Sequence, residues 1–448
     1  MDKEYLFSKM PVKEAVLRQV VPTVISQMVV LAYNLTDTYY VGLLNDPRQT
    51  AAVTVAFPST LLMTAAANLF AVGGAGRIAY ELGKGHRDAA EETAAVSFWG
   101  ALLSALLLSF LYWLSAGPVL RISGADAATF PAARAYVKWV VIAGGIGFIM
   151  NIVLANLIRS EGGAFIASIG VSGGGILNMI LDPFFVLDRF LGMGAEGAGL
   201  ATAISGFAST FFFLAFILFR GKDSVLKFGP RRLAGASLRL PPVLKTGFPS
   251  SVQYLLTMVA VGAMTKFISA YGSEAVAALG IVKKIDQLPM TFAIGVSSGV
   301  LPLISFNYSS GNYRRRRAIF SFALFLSFSF AMLCLVVFEL MSPVLVRLFI
   351  EDEKTVRYGA AFLRIMVVGM PLMALNYPMI VNFQGMGRIR EALICSVLRK
   401  GLLDIPVLLL LDRLVPMYGL TAVQPVIDTI SLIVAGLFYR KILKEEAM

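Results

Sequence analysis

Apolar residues along this chain are gathered into blocks, which shorter polar stretches rich in basic side chains separate. A block of about 20 residues is the length at which a helix crosses the roughly 30 Å hydrocarbon layer of a bilayer. Because every backbone amide in such a block must find its partner within the segment, the blocks predict membrane-spanning α-helices. The alternation typical of a membrane β-barrel is not seen. Twelve spans are predicted, at residues 15–44, 51–76, 94–116, 134–157, 163–188, 197–219, 246–271, 275–303, 318–342, 357–381, 391–412 and 419–440.

The composition agrees with a membrane protein, since 57% of the 448 residues are hydrophobic and only 15% are charged. Soluble domains have roughly a quarter of their residues charged. A net charge of +12 would also suit a nucleic-acid partner. The basic residues, however, fill alternate connections between spans, as cytoplasmic loops do. We therefore expect no nucleic-acid partner, and a multi-pass protein of the cell inner (plasma) membrane with both termini in the cytoplasm.

The longest polar stretch, residues 222–242, predicts a cytoplasmic linker between an amino-terminal lobe (1–221) and a carboxyl-terminal lobe (243–448). The halves resemble each other, because Pro22 and Pro249 stand at the first span of each half. Glycine-containing basic loops also follow the second and the eighth span. The sequence therefore predicts an all-α integral membrane protein, with twelve transmembrane helices in two six-helix lobes. A pseudo-two-fold axis along the membrane normal would relate the lobes, and a transport path would lie between them.

Two acidic residues stand inside predicted spans of the first half. Ionisable groups in a bilayer cost several kcal/mol unless they are paired or hydrated, so each is a functional candidate. Asp37 of the first span and Asp182 of the fifth are predicted at similar depths near the outer surface. Asn178 lies one helical turn before Asp182, and Pro183 frees the carbonyl of Met179. These groups could bind a proton or a sodium ion. The alternatives are that Asp37 simply reaches water at the outer interface, and that Asn178 and Asp182 cap or pair helices.

Further polar residues are candidates for substrate binding. Tyr33, Asn34 and Tyr40 share one helical face with Asp37. In the second half, Asp286 lies near the middle of the eighth span and could anchor a cationic substrate. The alternative for Asp286 is a salt bridge to Lys266 or to a lysine of its own span.

Several other features exclude functions or leave a role open. Asp404 and Asp428 have no assigned role. Cys334 and Cys395 lie inside apolar blocks and predict neither a disulfide nor a metal site. No Walker sequence is present, and no nucleophile, base or metal ligands cluster along the chain. We therefore expect no enzyme activity and no cofactor, and an ion gradient as the energy source.

The chain resembles the multidrug and toxic compound extrusion (MATE) family over nearly its whole length. The resemblance lies in Pro22, in the string from Asn34 to Asp37, in the string from Asn178 to Pro183, and in Pro249. It implies a V-shaped fold of two lobes and antiport of drugs against protons or sodium ions.

In such proteins the cation site lies in the amino-terminal lobe, and the first helix can bend at a position matching Pro22. The matching cation-site residues here are Asp37, Asn178, Asp182 and Thr202. One departure concerns the second half. Gln253 stands where some relatives carry an acid in the seventh helix, and an acid of the tenth helix is missing too. A second coupling site is therefore not expected there, unless Asp286 substitutes.

The leading hypothesis is a secondary active multidrug exporter that antiports cationic amphipathic compounds against protons or sodium ions by alternating access. The alternative is a flippase of a lipid-linked precursor, but such a cavity would be basic, and the candidates here are mainly acidic. The expected partners are small-molecule organic cations and the lipid bilayer. Because two lobes already complete a transport path, we expect a working monomer.

Overall fold

The computed structural model describes residues 5–44, 46–221 and 224–446. Within these segments the chain forms fifteen α-helices and no β-strand. The helices are α1 Val12–Gly42, α2 Pro47–Gly83, α3 Arg87–Ile122, α4 Phe130–Val137, α5 Gly145–Ser160, α6 Ala164–Val186, α7 Ala195–Arg220, α8 Ala236–Ile268, α9 Ser273–Ser309, α10 Tyr313–Arg347, α11 Glu353–Val367, α12 Met370–Gly385, α13 Ile389–Val397, α14 Asp404–Leu414 and α15 Tyr418–Glu445.

The order of helices follows the twelve predicted spans, three of which are interrupted. Nine helices of the described segments are long and apolar enough to cross a membrane by themselves. Two further spans are bent pairs, α4 with α5 at 50° and α11 with α12 at 47°. The remaining predicted span, residues 391–412, falls on α13 and α14, between which the backbone leaves the helix at Lys400 and Gly401. The protein is therefore an all-α, multi-pass membrane protein built from two six-helix lobes.

Most helices extend past the predicted spans, and the largest difference concerns the predicted linker. Helix α8 begins at Ala236, inside the stretch predicted as linker, and continues through Pro241 and Pro242. A short 3-10 helix, Pro230–Gly235, precedes it. Acidic side chains at the start of α3 form ion pairs with the linker and hold it against the first lobe. One example is Glu91, whose Oε1 lies 2.7 Å from the Lys227 ammonium.

Both ends of the described chain lie on one side of the helix bundle, which we call the terminal side. Arg315 Nε donates to the Phe7 carbonyl oxygen at 2.9 Å. The neighbouring Arg316 donates to Glu446 Oε2 at 2.6 Å. We call the opposite side of the bundle the distal side.

Glycines on the terminal halves of the helices let the two lobes approach each other closely. A Cβ at Gly247 of α8 would lie 1.9 Å from the Leu69 carbonyl oxygen of α2, and one at Gly83 would lie 2.3 Å from the Phe306 carbonyl oxygen. No side chain fits such backbone approaches. On the distal half of α9, a Cβ at Gly280 would meet nothing within 4 Å. Close interlobe packing is thus concentrated on the terminal side.

Candidate functional site

Two carboxylates face each other in the distal half of the first lobe. Asp37 comes from α1 and is 7% exposed, and Asp182 comes from α6 and is fully buried. Their carboxyl groups lie within hydrogen-bonding distance of each other. The absence of a side chain at Gly175 of α6 allows α1 to pack against it, because a Cβ there would lie 3.0 Å from the Tyr33 ring.

Asn178 and Thr202 complete the group predicted as the cation site. The hydrogen-bond network fixes the orientation of the Asn178 amide. Its Nδ2 donates to Asp37 Oδ1 at 2.8 Å, and its Oδ1 accepts from the Thr202 backbone N–H at 3.2 Å. The Thr202 hydroxyl donates to the Ala198 carbonyl oxygen at 3.0 Å and also lies beside the Asp37 carboxyl. The structure thus brings together four residues from α1, α6 and α7.

The carboxylate pair lacks positive charge around it. Neither oxygen of Asp182 has a hydrogen-bond donor among the described residues, and no described basic residue interacts with either carboxyl group. A buried carboxylate without a donor or counter-ion carries a large desolvation cost. Two carboxylates in contact add repulsion to this cost. A proton held between them, or a bound cation, would remove both effects.

Two tyrosines enclose the pair. Tyr33 precedes Asp37 by one helical turn, as the sequence predicted. Tyr136 of α4 is buried and lies close enough to Asp37, Asp182 and Tyr33 to interact with them electrostatically. Sequence reasoning missed Tyr136, because no polar pattern marks it and only the packing of α4 brings it to the site.

Three other predicted residues lie outside this group. Asn34 is exposed, and its Nδ2 donates to the Val30 carbonyl oxygen of its own helix at 2.9 Å. Tyr40 is half-buried, with its ring in an edge contact with Tyr39. Helix α1 continues without interruption through Pro22. A drug-binding role for Asn34 and Tyr40 and a bend at Pro22 remain predictions.

In the second lobe, Asp286 of α9 borders a small cavity. Among the described residues it forms no ion pair, so the salt bridges considered for it are not present; Lys283 and Lys400 act on it only at longer range. The other lining residues are a second carboxylate, an amide and apolar side chains: Asp428, Gln424, Met366, Met370, Met373, Gly369 and Pro425.

Asp428 is held by a buried arginine that sequence reasoning missed. Arg399 Nε donates to Asp428 Oδ1 at 2.8 Å, and each side chain is 1% exposed. The Asn376 amide donates to the Asp428 carbonyl oxygen at 2.9 Å. The Arg399 guanidinium also lies 4.0 Å above the Tyr377 ring. Asp428 is thus already neutralised, unlike Asp286.

Arg399 stands at the break between α13 and α14. Lys400 has an extended backbone, and Gly401 has a φ of 125°, which favours glycine. Asp404 Oδ2 accepts from the Gly401 N–H at 2.5 Å, so this acid supports the backbone at the start of α14. The three consecutive residues Arg399, Lys400 and Gly401 inside an apolar block were the available sequence signal for the break.

Comparisons with known proteins agree with this fold. A sequence model of the MatE family matches residues 22–184 and 249–410. The multidrug export protein MepA of Staphylococcus saprophyticus is 25% identical over 433 residues, 97% of this chain and 94% of that protein. The multidrug export protein MepA of Staphylococcus aureus is 26% identical over 420 residues, which are 94% of this chain and 91% of that protein.

Solved structures show the same fold. One is an outward-facing conformation of a multidrug resistance MATE family transporter of the MOP superfamily, with a TM-score of 0.92 and 23% identity, covering 100% of this chain and 99% of that chain. Another is a MOP superfamily transporter from Pyrococcus furiosus, in which a reversed polarity of the binding pocket suggests a different function. Its TM-score is 0.92 at 24% identity, and the match covers 100% of this chain and 98% of that transporter.

Proposed function

Because the chain belongs to the MatE family of multidrug and toxic compound extrusion transporters, we propose that it exports cationic amphipathic compounds in exchange for protons. The observation that carries this proposal is the contact between Asp37 and Asp182, with no basic residue of the described chain acting on either carboxyl group. Two deprotonated carboxylates have no hydrogen to share, whereas a single proton creates a charge-assisted hydrogen bond between them. Protonation and an organic cation are then alternative ways to neutralise the pair.

The exchange follows from this competition. With the proton absent, repulsion between Asp37 and Asp182 favours movement of α1 away from α6 and makes negative charge available to a drug. A proton that enters from the distal side restores the hydrogen bond and weakens the attraction for the drug. While α1 stays packed on α6, Asn178 holds the Asp37 carboxyl in place through its 2.8 Å hydrogen bond. Pro22 leaves α1 one hydrogen bond short near its middle, which lowers the cost of bending there.

The direction of transport follows from the topology that we propose. Basic residues lie in the loops and tails of the terminal side, including Lys84 and Arg314, so the terminal side and both termini face the cytoplasm. The less tightly packed distal side then faces the outside of the cell. Drugs would leave by that side, and protons would enter the Asp37 site from it.

The relatives are multidrug export proteins, which supports the choice of substrate class. The cavity at Asp286 adds a second argument, because methionines line it. The polarizable thioether of methionine adapts to ligands of different shape and contacts aromatic rings favourably. We assign Asp286 to drug binding in the second lobe, and the Asp37 group to ion coupling, where the drug and the proton compete for the same negative charge.

The test is efflux of ethidium from proteoliposomes, with a proton gradient and a sodium gradient imposed separately. We expect the proton gradient to drive efflux in the wild type, and Asp37→Asn or Asp182→Asn to lower the rate to the protein-free background. Asp46→Asn is the matched control, because Asp46 caps α2 from an exposed position through its bond to the Arg48 N–H.

Each other outcome would overturn part of the proposal. Efflux driven only by the sodium gradient would assign sodium, which the oxygens of Asp37, Asp182, Asn178 and Thr202 could also bind. Full efflux in Asp37→Asn would remove that residue from coupling. If neither gradient moves any organic cation, the export proposal fails, and movement of a lipid-linked precursor becomes the next assay.

A further inference from the structure

A buried arginine without a counter-ion lies between helices of the first lobe, near the terminal side. Arg159 is the last residue but one of α5 and is 2% exposed. Its Nη2 donates to the Ser26 hydroxyl of α1 at 3.4 Å, whereas its Nε has no acceptor among the described residues. No described acid interacts with the guanidinium. A buried charge without a partner is costly, so we expect Arg159 to have a role beyond packing.

The acid nearest to Arg159 along the chain binds other groups. Glu161 follows α5 directly and is also buried. Its Oε2 accepts from the Ser224 hydroxyl at 2.8 Å and lies 3.9 Å from an Arg220 nitrogen at the end of α7. Arg159 therefore keeps an uncompensated positive charge, although a carboxylate stands two residues away in the sequence.

Arg159 contacts α1 on a face that carries polar side chains from the terminal side to the carboxylate pair. Residues three and four positions apart share one face of a helix. The residues on this face are Gln19, Thr23, Ser26, Val30, Tyr33 and Asp37. Only Val30 interrupts the polar row. The helix rises about 16 Å from Ser26 to Asp37, so Arg159 lies between the carboxylate pair and the terminal side.

The terminal end of this polar row holds groups that suit water. Gln19 is fully buried, and neither its Oε1 nor its Nε2 has a partner among the described residues. Its Nε2 lies close to the turn that follows Arg159, since a Cβ at Gly162 would be 3.4 Å from it. On α6, which packs against α1, the buried Ser168 hydroxyl also lacks a partner in the described chain. Buried polar groups are nearly always hydrogen-bonded to protein or to ordered water, so the row is suited to pass a proton between neighbouring groups.

We propose that Arg159 is the positive barrier that stops protons from passing along this face of α1, from Asp37 to the terminal side. A fixed positive charge raises the energy of any cation that enters a narrow polar path beside it. Protons that enter the Asp37 site from the distal side then leave only through the cleft that opens between the lobes. The inference rests on the proposed proton coupling at Asp37 and adds the residue that prevents a leak past it.

The experiment measures the decay of an imposed pH gradient across proteoliposomes that contain the full chain and an enclosed pH-sensitive dye, with no drug present. Potassium and valinomycin hold the membrane potential at zero, so the decay reports protons alone. The wild type should match protein-free liposomes. We expect protons to cross about tenfold faster or more in Arg159→Gln, because a unit charge beside the path changes the barrier by more than one decade in rate. Arg159→Lys keeps the charge and should stay close to the wild type.

A purely structural role of Arg159, holding α1 against α5 through Ser26, predicts a different result. Arg159→Lys would then leak as fast as Arg159→Gln, and this outcome would overturn the inference. A decay in Arg159→Gln equal to that of the wild type would overturn it as well.

A second pair of variants tests the charge without removing the arginine. Ser26→Asp places a carboxylate beside the Arg159 guanidinium and neutralises it in place, so this variant should leak protons too. Ser26→Asn is the matched control, because its side chain has the same size without the charge, and it should remain tight. Equal rates of decay in the two variants would contradict a barrier made by charge.

The double variant Arg159→Gln with Asp37→Asn shows whether the leak uses the proposed path. It should decay at the wild-type rate, and a leak that persists in it would overturn the path along α1. Failure of the barrier and failure of the export proposal are distinguishable, because the leak assay contains no drug. If the wild type exports ethidium under a proton gradient and Arg159→Gln stays tight, only the barrier is wrong. If Arg159→Gln leaks through Asp37 and the wild type exports no organic cation, the export proposal fails and the barrier stands.

Discussion

Among single side chains, Asn178 gives the sharpest test of the carboxylate pair, since its amide donates to Asp37 at 2.8 Å. Hydrogen bonds to charged groups contribute about 1.5–3 kcal/mol. We therefore expect Asn178→Leu to lower gradient-driven efflux about tenfold or more. The substitution keeps the number of side-chain heavy atoms and removes the donor, so it leaves no cavity behind.

The matched control for this prediction is Asn156→Leu in α5. Asn156 is also nearly buried, but its Nδ2 donates to the Ile152 carbonyl oxygen of its own helix at 2.9 Å. That variant should export at a rate close to the wild type. Equal losses in the two variants would mean that any buried leucine disturbs packing, and Asn178 would then have no special role in coupling.

Some residues of this site could be predicted from the sequence and others could not. Asp37, Asn178 and Asp182 could be predicted because acids inside apolar blocks are costly and because helical spacing shows which residues share a face. Tyr136 could not, because its position depends on how α4 packs on α7. The closeness of these helices shows at Gly199, where a Cβ would lie 2.9 Å from the Tyr136 carbonyl oxygen. A single sequence contains no information on such contacts between helices.

Among the helices, the break between α13 and α14 is the feature that hydropathy could not predict. Residues 391–412 were predicted as one span, because a few irregular residues leave the average hydropathy of a block almost unchanged. The break leaves backbone groups without helical partners, and Asp404 satisfies one of them, the Gly401 N–H. It also places Lys400 where a regular helix would not, beside Gln424.

Gly401→Ala tests whether glycine is required at this break. With a φ of 125°, alanine would be strained by about 1–3 kcal/mol, and its Cβ would lie 2.6 Å from the Leu256 side chain. We expect a lower thermal unfolding midpoint for the detergent-purified protein. Gly436→Ala in α15 is the control: its Cβ would meet nothing within 4 Å, and alanine favours a helix, so its midpoint should not fall. Equal midpoints in the two variants would show that the break tolerates a side chain.

Across the two lobes, the sequence predicted the division of the chain but not what holds the halves together. The repeated proline and loop patterns predicted two six-helix lobes, which the structure and the family match confirm. No helix was predicted before residue 15. The first described residues instead form a π-helical turn, Tyr5–Lys9, whose Leu6 and Phe7 are buried with residues of the second lobe. Their apolar side chains are too few to stand out beside the long blocks of the spans.

Phe7 contacts both lobes on the terminal side, and no pattern in the sequence predicted these contacts. Its ring stacks on Phe306 of the second lobe with centroids 5.1 Å apart. Its carbonyl oxygen accepts from Asn307 Nδ2 at 3.0 Å as well as from Arg315. On the other side, Gly162 of the first lobe comes so close that a Cβ there would lie 3.4 Å from the same ring. Opening of the terminal side must therefore separate Phe7 from one lobe.

We expect Phe7→Ala to shift the protein toward conformations that are open on the terminal side. Replacing a buried phenylalanine by alanine costs about 3–5 kcal/mol in a packed core, and each 1.4 kcal/mol or so changes an equilibrium about tenfold. Spin labels at Lys84→Cys and Arg314→Cys report the separation of the lobes by pulsed electron resonance. Alanine at Cys334 and Cys395, which are both free and buried, restricts labelling to these two positions. Phe7→Ala should add a population of molecules with a longer distance between the two spin labels.

The control is Phe219→Ala, which removes a ring that is 90% exposed and should leave the distances between the labels unchanged. If the Phe7 variant shows the wild-type distances as well, the amino-terminal turn does not restrain the lobes, and the glycine contacts between α2 and α8 become the structure that holds the terminal side closed.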